Sequence, residues 1–129
     1  MVEERLILGK EDRDRFDRAK RIDWLDIDTI SRSRVLMVGA GAIGNEVAKN
    51  LVLSGFRNIT VVDMDRVVNS NLARCLFFSE TDATQDNLKA EIVVKGMMKL
   101  DKNIEAVTII GKIQDQRDGF VRDFDVVLG

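Results

Sequence analysis

The stretch Arg-Val-Leu-Met-Val-Gly-Ala-Gly-Ala-Ile-Gly, residues 34–44, decides the fold of this chain. Its apolar run from Val35 to Val38 is typical of a short strand that is buried on both faces of a parallel sheet. A G-x-G-x-x-G pattern follows, and an amphipathic segment begins directly after it. A strand, a glycine turn and a helix in that order are typical of a nucleotide-binding α/β unit.

Each glycine of this pattern has a separate expected task. Gly39 permits the tight turn after the strand, Gly41 lets the backbone approach a phosphate, and Gly44 lets the helix pack close to the strand. The phosphate would lie at the helix N-terminus, where free N–H groups and the positive end of the helix dipole face it. The glycines therefore predict a phosphate site.

A second buried strand at 58–63 ends in a candidate ribose ligand. Asp63 lies 19 residues after Gly44, and an acidic side chain at that place can accept hydrogen bonds from ribose hydroxyls. The helix between the two strands is expected to end at Gly55. The apolar residues expected on its core-facing side are Ile43, Val47, Ala48, Leu51 and Val52.

Before the first strand, the sequence is highly charged. Apolar residues at intervals of three, beginning with Phe16, favour a helix over 11–25 that lies across a surface. We expect a loose arm at 1–10 before it and a polar connector at 26–33 after it.

After the second strand, we expect an irregular or briefly helical segment at 65–79 and a helix at 86–100. A third strand at 105–111, a short helix at 116–124 and a fourth strand at 125–128 follow. These elements predict an α/β fold: a Rossmann-like, doubly wound and mainly parallel sheet with helices on both faces. The expected division is an N-terminal arm and helix at 1–33 and a Rossmann-like nucleotide-binding domain at 34–129, whose C-terminal part would lie beyond the fourth strand.

Composition restricts the chemistry. The 129 residues include no histidine, which excludes Ser-His-Asp and Cys-His catalysis and any histidine metal site. The net charge of −2, with both signs interspersed, gives no reason to expect nucleic acid as a partner. No run of residues has the length and apolarity of a membrane span, and a single cysteine fits a reducing cytoplasm.

Two cationic residues follow the candidate ribose ligand. Arg74 can bind phosphate oxygens with two parallel hydrogen bonds, and Lys89 supplies a mobile point charge. A hydride-transfer site gains little from such cations, whereas attack on the α-phosphate of ATP must stabilise a triphosphate and a departing pyrophosphate. Asn71 is a candidate for orienting these cations. The segment favours phosphate chemistry over a dehydrogenase.

These motifs together resemble the ubiquitin-activating-enzyme-like superfamily, which includes the ThiF, MoeB and HesA adenylyltransferases. Its pattern is a glycine loop, a strand ending in D-x-D, then S-N-L-x-R-Q, then a lysine in a segment like G-x-x-K-A. This sequence has the glycine loop from Gly39 to Gly44, with Ala42 as its small residue, then Asp63 and Asp65, Ser70-Asn71-Leu72-Ala73-Arg74, and Lys89-Ala90.

The likeness extends from about residue 15 to the end, with two departures. Arg15 to Arg18 resembles the R-[YF]-x-R motif, whose second arginine reaches ATP from a neighbouring subunit. The segment 112–115, Lys-Ile-Gln-Asp, is similar to the catalytic subunits of eukaryotic ubiquitin-like-activating enzymes. Cys75 stands where the superfamily usually has glutamine, and Ala19 replaces a glutamine.

The resemblance implies ATP-dependent adenylation of the C-terminal glycine of a ubiquitin-like or sulfur-carrier protein. It implies ATP and Mg²⁺ at the site, and a homodimer or a pseudo-symmetric heterodimer. It assigns the phosphates to the glycine loop, Asn71, Arg74, Lys89 and a partner subunit's Arg18, and the ribose to Asp63. No metal ligand is expected within this chain, since the zinc site of some members would lie beyond residue 129.

Two other functions stay open. The Rossmann pattern alone also fits the NAD(P)-binding half of an oxidoreductase. The chain could also be a degenerate relative of the superfamily, which serves as a non-catalytic assembly subunit and has an incomplete ATP site. Cys75 is interpreted as a buried packing residue, because no histidine is present to activate its thiol.

Overall fold

The computed structural model describes residues 14–129. The predicted arm at 1–10 and the first three residues of the predicted helix at 11–25 lie outside this range. Residues 14–129 contain four strands, β1 to β4, at Arg34–Val38, Asn58–Val62, Glu105–Ile109 and Val126–Leu128. The same residues contain four α-helices, α1 to α4, at Ile27–Arg32, Ala42–Ser54, Glu80–Thr84 and Lys89–Leu100. None of the helices in the described residues is both long enough and apolar enough to cross a membrane.

The four strands form one parallel sheet in the order β3-β2-β1-β4. From β1 the chain winds outward through β2 to β3, and it then returns to place β4 on the other side of β1. This reversal of direction is the doubly wound arrangement, and it confirms the predicted Rossmann-like fold. Ligands of such sheets bind beyond the carboxyl ends of the strands where the winding reverses, which here is between β1 and β4.

One face of the sheet supplies most of the core. Alternate residues of β1 and β2, namely Val35, Met37, Ile59 and Val61, are wholly buried there beneath α2 and α4. The two helices pack against each other. Helix α2 ends at Gly55, whose φ of 102° is the left-handed conformation that closes helices, as predicted. The core therefore fixes the starts of α2 and α4 at the same edge of the sheet.

The second face carries 3-10 turns. The Arg34 guanidinium lies 5.7 Å from the centroid of the Phe124 ring, which also contacts Phe120. The short helix predicted at 116–124 is reduced to a 3-10 helix at Phe120–Asp123. Its start is delayed because Gly119 adopts a φ of 79°, which no right-handed helix includes.

The prediction of a helix at 11–25 was wrong for the described residues. The segment forms a turn and one 3-10 helix, Ala19–Arg21, and a helix instead occupies Ile27–Arg32 in the predicted connector. Asp14 accepts a hydrogen bond from the Phe16 N–H, which favours a turn, and Asp26 caps the later helix by accepting from the Thr29 N–H.

The expected core face of α2 also needs one correction. Ile43 is 81% exposed, and the inward position in the first turn belongs to Asn45, which is wholly buried. Asn45 and Ala48 share one side of the helix, because residues three apart lie on the same face. Helix α3 was not predicted, and its signal is the capping pair Ser79 and Asp82, whose side chains bond each other's backbone N–H.

Candidate nucleotide-binding site

The glycine turn, residues 39–44, has the geometry that its sequence predicts. Gly39 has a φ of 104° and donates its N–H to the Val62 carbonyl at 2.8 Å. A β-carbon on Gly44 would lie 2.3 Å from the Gly39 carbonyl oxygen, so α2 begins in direct contact with the turn. A β-carbon on Gly41 would meet nothing within 4 Å, which leaves its backbone open to a ligand.

The start of α2 carries four consecutive N–H groups that make no hydrogen bond within the described part of the chain. Those of Gly41, Ala42, Ile43 and Gly44 have no acceptor among residues 14–129. The positive end of the dipole of this 13-residue helix adds to their attraction for an anion. The start of α2 can therefore receive a phosphate group through the backbone alone.

Asp63 joins the glycine turn to the segment after β2. One carboxylate oxygen accepts from the Ala40 N–H at 2.7 Å, and the other accepts from the Asp65 N–H at 2.7 Å. Each oxygen has a second lone pair, so the side chain can still accept from a ribose hydroxyl. The predicted ribose contact stays a prediction, and the structure adds a role in holding the turn.

Lys89 is held at the same edge of the sheet by Asp65. Its ammonium nitrogen lies 3.6 Å from the Asp65 carboxylate, and its backbone N–H donates to the Asp65 carbonyl at 2.9 Å. The Lys89 side chain is only 13% exposed, whereas that of Asp65 is 60% exposed. A shielded lysine beside a solvated carboxylate can exchange that partner for a phosphate at little cost.

The cation segment, residues 70–74, is less firmly held. Asn71 is buried and accepts from the Val68 N–H at 3.0 Å, which fixes a 3-10 helix at Asn69–Asn71. Arg74 is exposed, and one of its nitrogens donates to the Ser70 carbonyl at 3.1 Å. The remaining guanidinium donors are available to a ligand.

Arg18 is not brought to the glycine turn of its own chain. Arg15, three residues before it, donates to the Leu100 carbonyl at 2.8 Å, and the Phe16 ring packs over Gly55. Leu100 ends α4, about 16 Å along the helix from Lys89 at 1.5 Å per residue. The segment carrying Arg18 is thus anchored at the end of the domain opposite the glycine turn.

Asn45 is the residue at this site that sequence reasoning missed. Its side-chain NH₂ donates to the Ala40 carbonyl at 3.0 Å and to the Gly41 carbonyl at 2.8 Å, and its oxygen accepts from the Phe77 N–H at 2.9 Å. A polar residue at an inward position of α2, one place after Gly44, is the signal that could have revealed it.

A cleft of about 490 Å³ lies beside the glycine turn. The ends of β1 and β4 and the first turn of α2 line it, including Val38, Ile43, Val47 and Leu128. The cleft lies where the winding reverses, and its walls are mainly apolar. An apolar cleft beside backbone donors is the usual form of a site for a ligand with a flat ring and a charged tail.

Cys75 is buried, and burial raises the pKa of its thiol above the ordinary value. A protonated buried thiol is a poor nucleophile, which agrees with a packing role. No group of three or more cysteine, aspartate or glutamate side chains is positioned to hold a metal ion in the described part of the chain.

Comparison with known proteins gives concordant results. The profile of the ThiF family matches residues 16–129. The NEDD8-activating enzyme E1 catalytic subunit of Arabidopsis thaliana is 39% identical over 73% of this chain and 20% of its own length. The SUMO-activating enzyme subunit 2 of Dictyostelium discoideum is 36% identical over 78% of this chain and 15% of its own.

A solved structure supports the same relation. The crystal structure of E. coli MccB with ATP superposes with a TM-score of 0.64 at 32% identity. The match covers 69% of this chain and 26% of MccB. The chain therefore spans about a quarter or less of the length of each of these three proteins.

Proposed function

This chain belongs to the ThiF family, and on that premise we propose that it forms the ATP-binding part of an enzyme that adenylates the C-terminal glycine of a ubiquitin-like or sulfur-carrier protein. Two of its relatives are named as NEDD8- and SUMO-activating enzymes, and MccB was crystallised with ATP. Since the chain spans a small part of each, the activity belongs to the whole protein.

One observation carries the proposal. The four free N–H groups at the start of α2, the Asp63 carboxylate and the shielded ammonium of Lys89 lie at the same edge of one parallel sheet. These groups match, in order, the phosphates, the ribose and the developing negative charge of a nucleotide that reacts at a phosphate. A nicotinamide site needs the first two but gains little from the third.

The proposed reaction needs no protein base. The carrier's terminal carboxylate is already ionised at neutral pH, and its oxygen forms a bond to the α-phosphorus of ATP. The bond from that phosphorus to the bridging oxygen breaks, and pyrophosphate leaves with the electron pair. Catalysis then consists of positioning and charge stabilisation.

We assign the roles as follows. The phosphates lie along Gly39, Gly41, Ala42 and Gly44, and the ribose bonds Asp63. Arg74 and Lys89 stabilise the charge on the triphosphate and the leaving pyrophosphate, while Asp65 orients Lys89 before ATP binds. Ser70 and Asn71 hold the backbone from which Arg74 extends.

Mg²⁺ would be held mainly by the phosphates. Asp63 is assigned to the ribose, and Asp65 pairs with Lys89, so few protein ligands remain. This fits Mg²⁺, which keeps several waters and uses one or two carboxylates with substrate phosphates. The bound ion supplies further neutralisation of the triphosphate.

We also propose a cytoplasmic location, because the one cysteine is free and buried.

Arg18 would act on a partner subunit's ATP, in a homodimer or a pseudo-symmetric heterodimer. The anchoring of Arg15 and Phe16 away from the glycine turn supports this role in trans. Mixing two inactive full-length variants, Arg18→Ala and Lys89→Ala, tests it. Partial recovery of activity in mixed dimers is expected for a homodimer, and no recovery on mixing, with dimer formation verified, would contradict it.

The whole proposal is tested by ATP–pyrophosphate exchange with the full-length protein and a carrier protein. Exchange is expected to require ATP, Mg²⁺ and a free carboxylate at the carrier's C-terminus. Calorimetry with ATP–Mg²⁺ and with NAD separates the alternatives. Preference for NAD without exchange would indicate an oxidoreductase, and a stable dimer that binds neither nucleotide would indicate an assembly subunit.

A further inference from the structure

The side chain of Asn45 uses its whole hydrogen-bonding capacity on main-chain groups near the candidate site. Its two N–H donors bond the Ala40 and Gly41 carbonyls, and its oxygen accepts from Phe77. Carbonyls on one side and an N–H on the other determine the orientation of the amide. The residue is wholly buried, so it cannot contact a nucleotide itself.

The two carbonyl contacts orient two of the free donors. A trans peptide unit holds its C=O and its N–H in opposite directions, and the described residues contain no cis peptide bond. With the Ala40 carbonyl turned inward to Asn45, the N–H of Gly41 is turned away from the core. The Gly41 carbonyl accepts from the Asn45 side chain and also from the Asn45 backbone N–H, each at 2.8 Å, so the N–H of Ala42 likewise points away from Asn45.

The third contact extends to the part of the chain that carries the cations. Phe77 follows the cation segment by three residues, and its ring packs on Gly96 of α4, where a β-carbon would lie 2.2 Å from the ring. Helix α4 begins with Lys89. Asn45 therefore links the glycine turn to the chain beyond Arg74, and the Phe77 ring extends that link to the helix of Lys89.

We propose that Asn45 is a positioning residue that aims the Gly41 and Ala42 amides at the nucleotide phosphates and holds the chain beyond the cation segment at a fixed distance from them. The inference rests on the proposed function, since it presumes a phosphate ligand at the glycine turn. It assigns to Asn45 an effect on the phosphate end of the ligand and none on the nucleoside end.

The test is Asn45→Leu in the full-length protein, with calorimetry of ATP–Mg²⁺ and of adenosine. The substitution is close in size and adds no charge, but leucine can neither donate to the two carbonyls nor accept from Phe77. We expect ATP affinity to fall at least about tenfold, which is the effect of losing hydrogen bonds to buried groups. Adenosine affinity should stay within about twofold. Asn50→Leu, at an exposed position of the same helix, is the control and should change neither.

Equal loss of ATP and adenosine affinity would overturn the proposal, because a merely structural role weakens both together. Unchanged affinity for both would also overturn it. Failure of the unaltered protein to bind ATP would refute the proposed function itself, and Asn45 would then have no phosphate to act on. The two failures are thus distinguishable.

A second measurement does not depend on how well the variant folds. In amide NMR of the unaltered full-length protein, ATP–Mg²⁺ should shift the Gly41 and Ala42 resonances strongly, and adenosine should leave them nearly unchanged. The Asn45 side-chain amide should exchange slowly with solvent, since it is buried and bonded. Equal shifts with both ligands, or rapid exchange of that amide, would contradict the proposal.

Discussion

The glycine turn and the cation segment are built in opposite ways. The turn is made of backbone, held by buried or half-buried side chains: Asp63 bonds Ala40, Asn45 bonds two of its carbonyls, and α2 touches it directly. The cation segment presents an exposed arginine with one backbone contact. The difference indicates that the turn is rigid before a nucleotide arrives, whereas the arginine is positioned by the nucleotide it binds.

Gly44→Ala is expected to have the largest effect, because it changes the glycine turn, which is the rigid region of the two. The new methyl would lie 2.3 Å from the backbone oxygen of Gly39, so either α2 or the turn must move. We expect a loss of about 3 kcal/mol in the free energy of unfolding and no measurable ATP–pyrophosphate exchange. Urea denaturation of the full-length protein measures the stability. Gly111→Ala is the matched control, because a β-carbon there meets nothing within 4 Å, and it should cost less than about 0.5 kcal/mol.

Lys89→Ala should produce the next largest effect, on catalysis. Removal of one preorganised cation from a site of charge development lowers rates by about 10²- to 10³-fold, and we expect the upper figure because this side chain is shielded from solvent. Stability should change by less than about 1 kcal/mol, since Asp65 is largely solvated. The exposed Lys95 of the same helix, replaced by alanine, is the control. If Lys89→Ala catalysed ATP–pyrophosphate exchange as fast as Lys95→Ala, Lys89 would have no role in the mechanism.

Arg74→Ala tests the flexible side of the comparison. We expect exchange to fall about a hundredfold, with an unchanged urea midpoint, because the side chain makes one backbone contact on the surface. Arg122→Ala, at another exposed position, should have no effect on either quantity. A large drop in stability would mean that Arg74 stabilises the fold. The cation segment would then not differ from the glycine turn in this respect.

The smallest effect is expected for Cys75→Ala. Exchange should stay within about twofold, and stability should fall by about 1 kcal/mol, since a small buried side chain is shortened. The raised thiol pKa also predicts slow alkylation at neutral pH by N-ethylmaleimide in the folded protein and rapid alkylation in urea. Loss of exchange in this variant would reopen the assignment of Cys75 as packing.

The same contrast explains what the sequence could predict. The strand, turn and helix at 34–54 follow from residue types that the backbone itself demands, such as a glycine at a φ of 104°. The motifs alone indicate the family, and the match to its profile confirms that membership. The roles of Arg74 and Lys89 follow from the chemistry of cations at a triphosphate and from the family resemblance, whereas the role of Arg18 follows from the resemblance alone. All three stay predictions.

The failures have local physical causes. The predicted helix at 11–25 was inferred from apolar spacing, but only Phe16 of that stripe is buried, and Asp14 favours a turn. Periodicity places Ile43 in the core, although the inward position in that turn of α2 belongs to Asn45. Periodicity counts apolar residues, so it cannot identify a buried amide whose partners are main-chain atoms distant in sequence.

The most direct test of the central claim is a crystal structure of the full-length protein with a non-hydrolysable ATP analogue and Mg²⁺. We expect the Gly41 and Ala42 amides, the Lys89 ammonium and the Arg74 guanidinium to lie about 3 Å from phosphate oxygens. The adenosine should lie toward Asp63. A bound analogue with Arg74 and Lys89 both directed into solvent, away from the phosphates, would contradict the claim that this site adenylates a carboxylate.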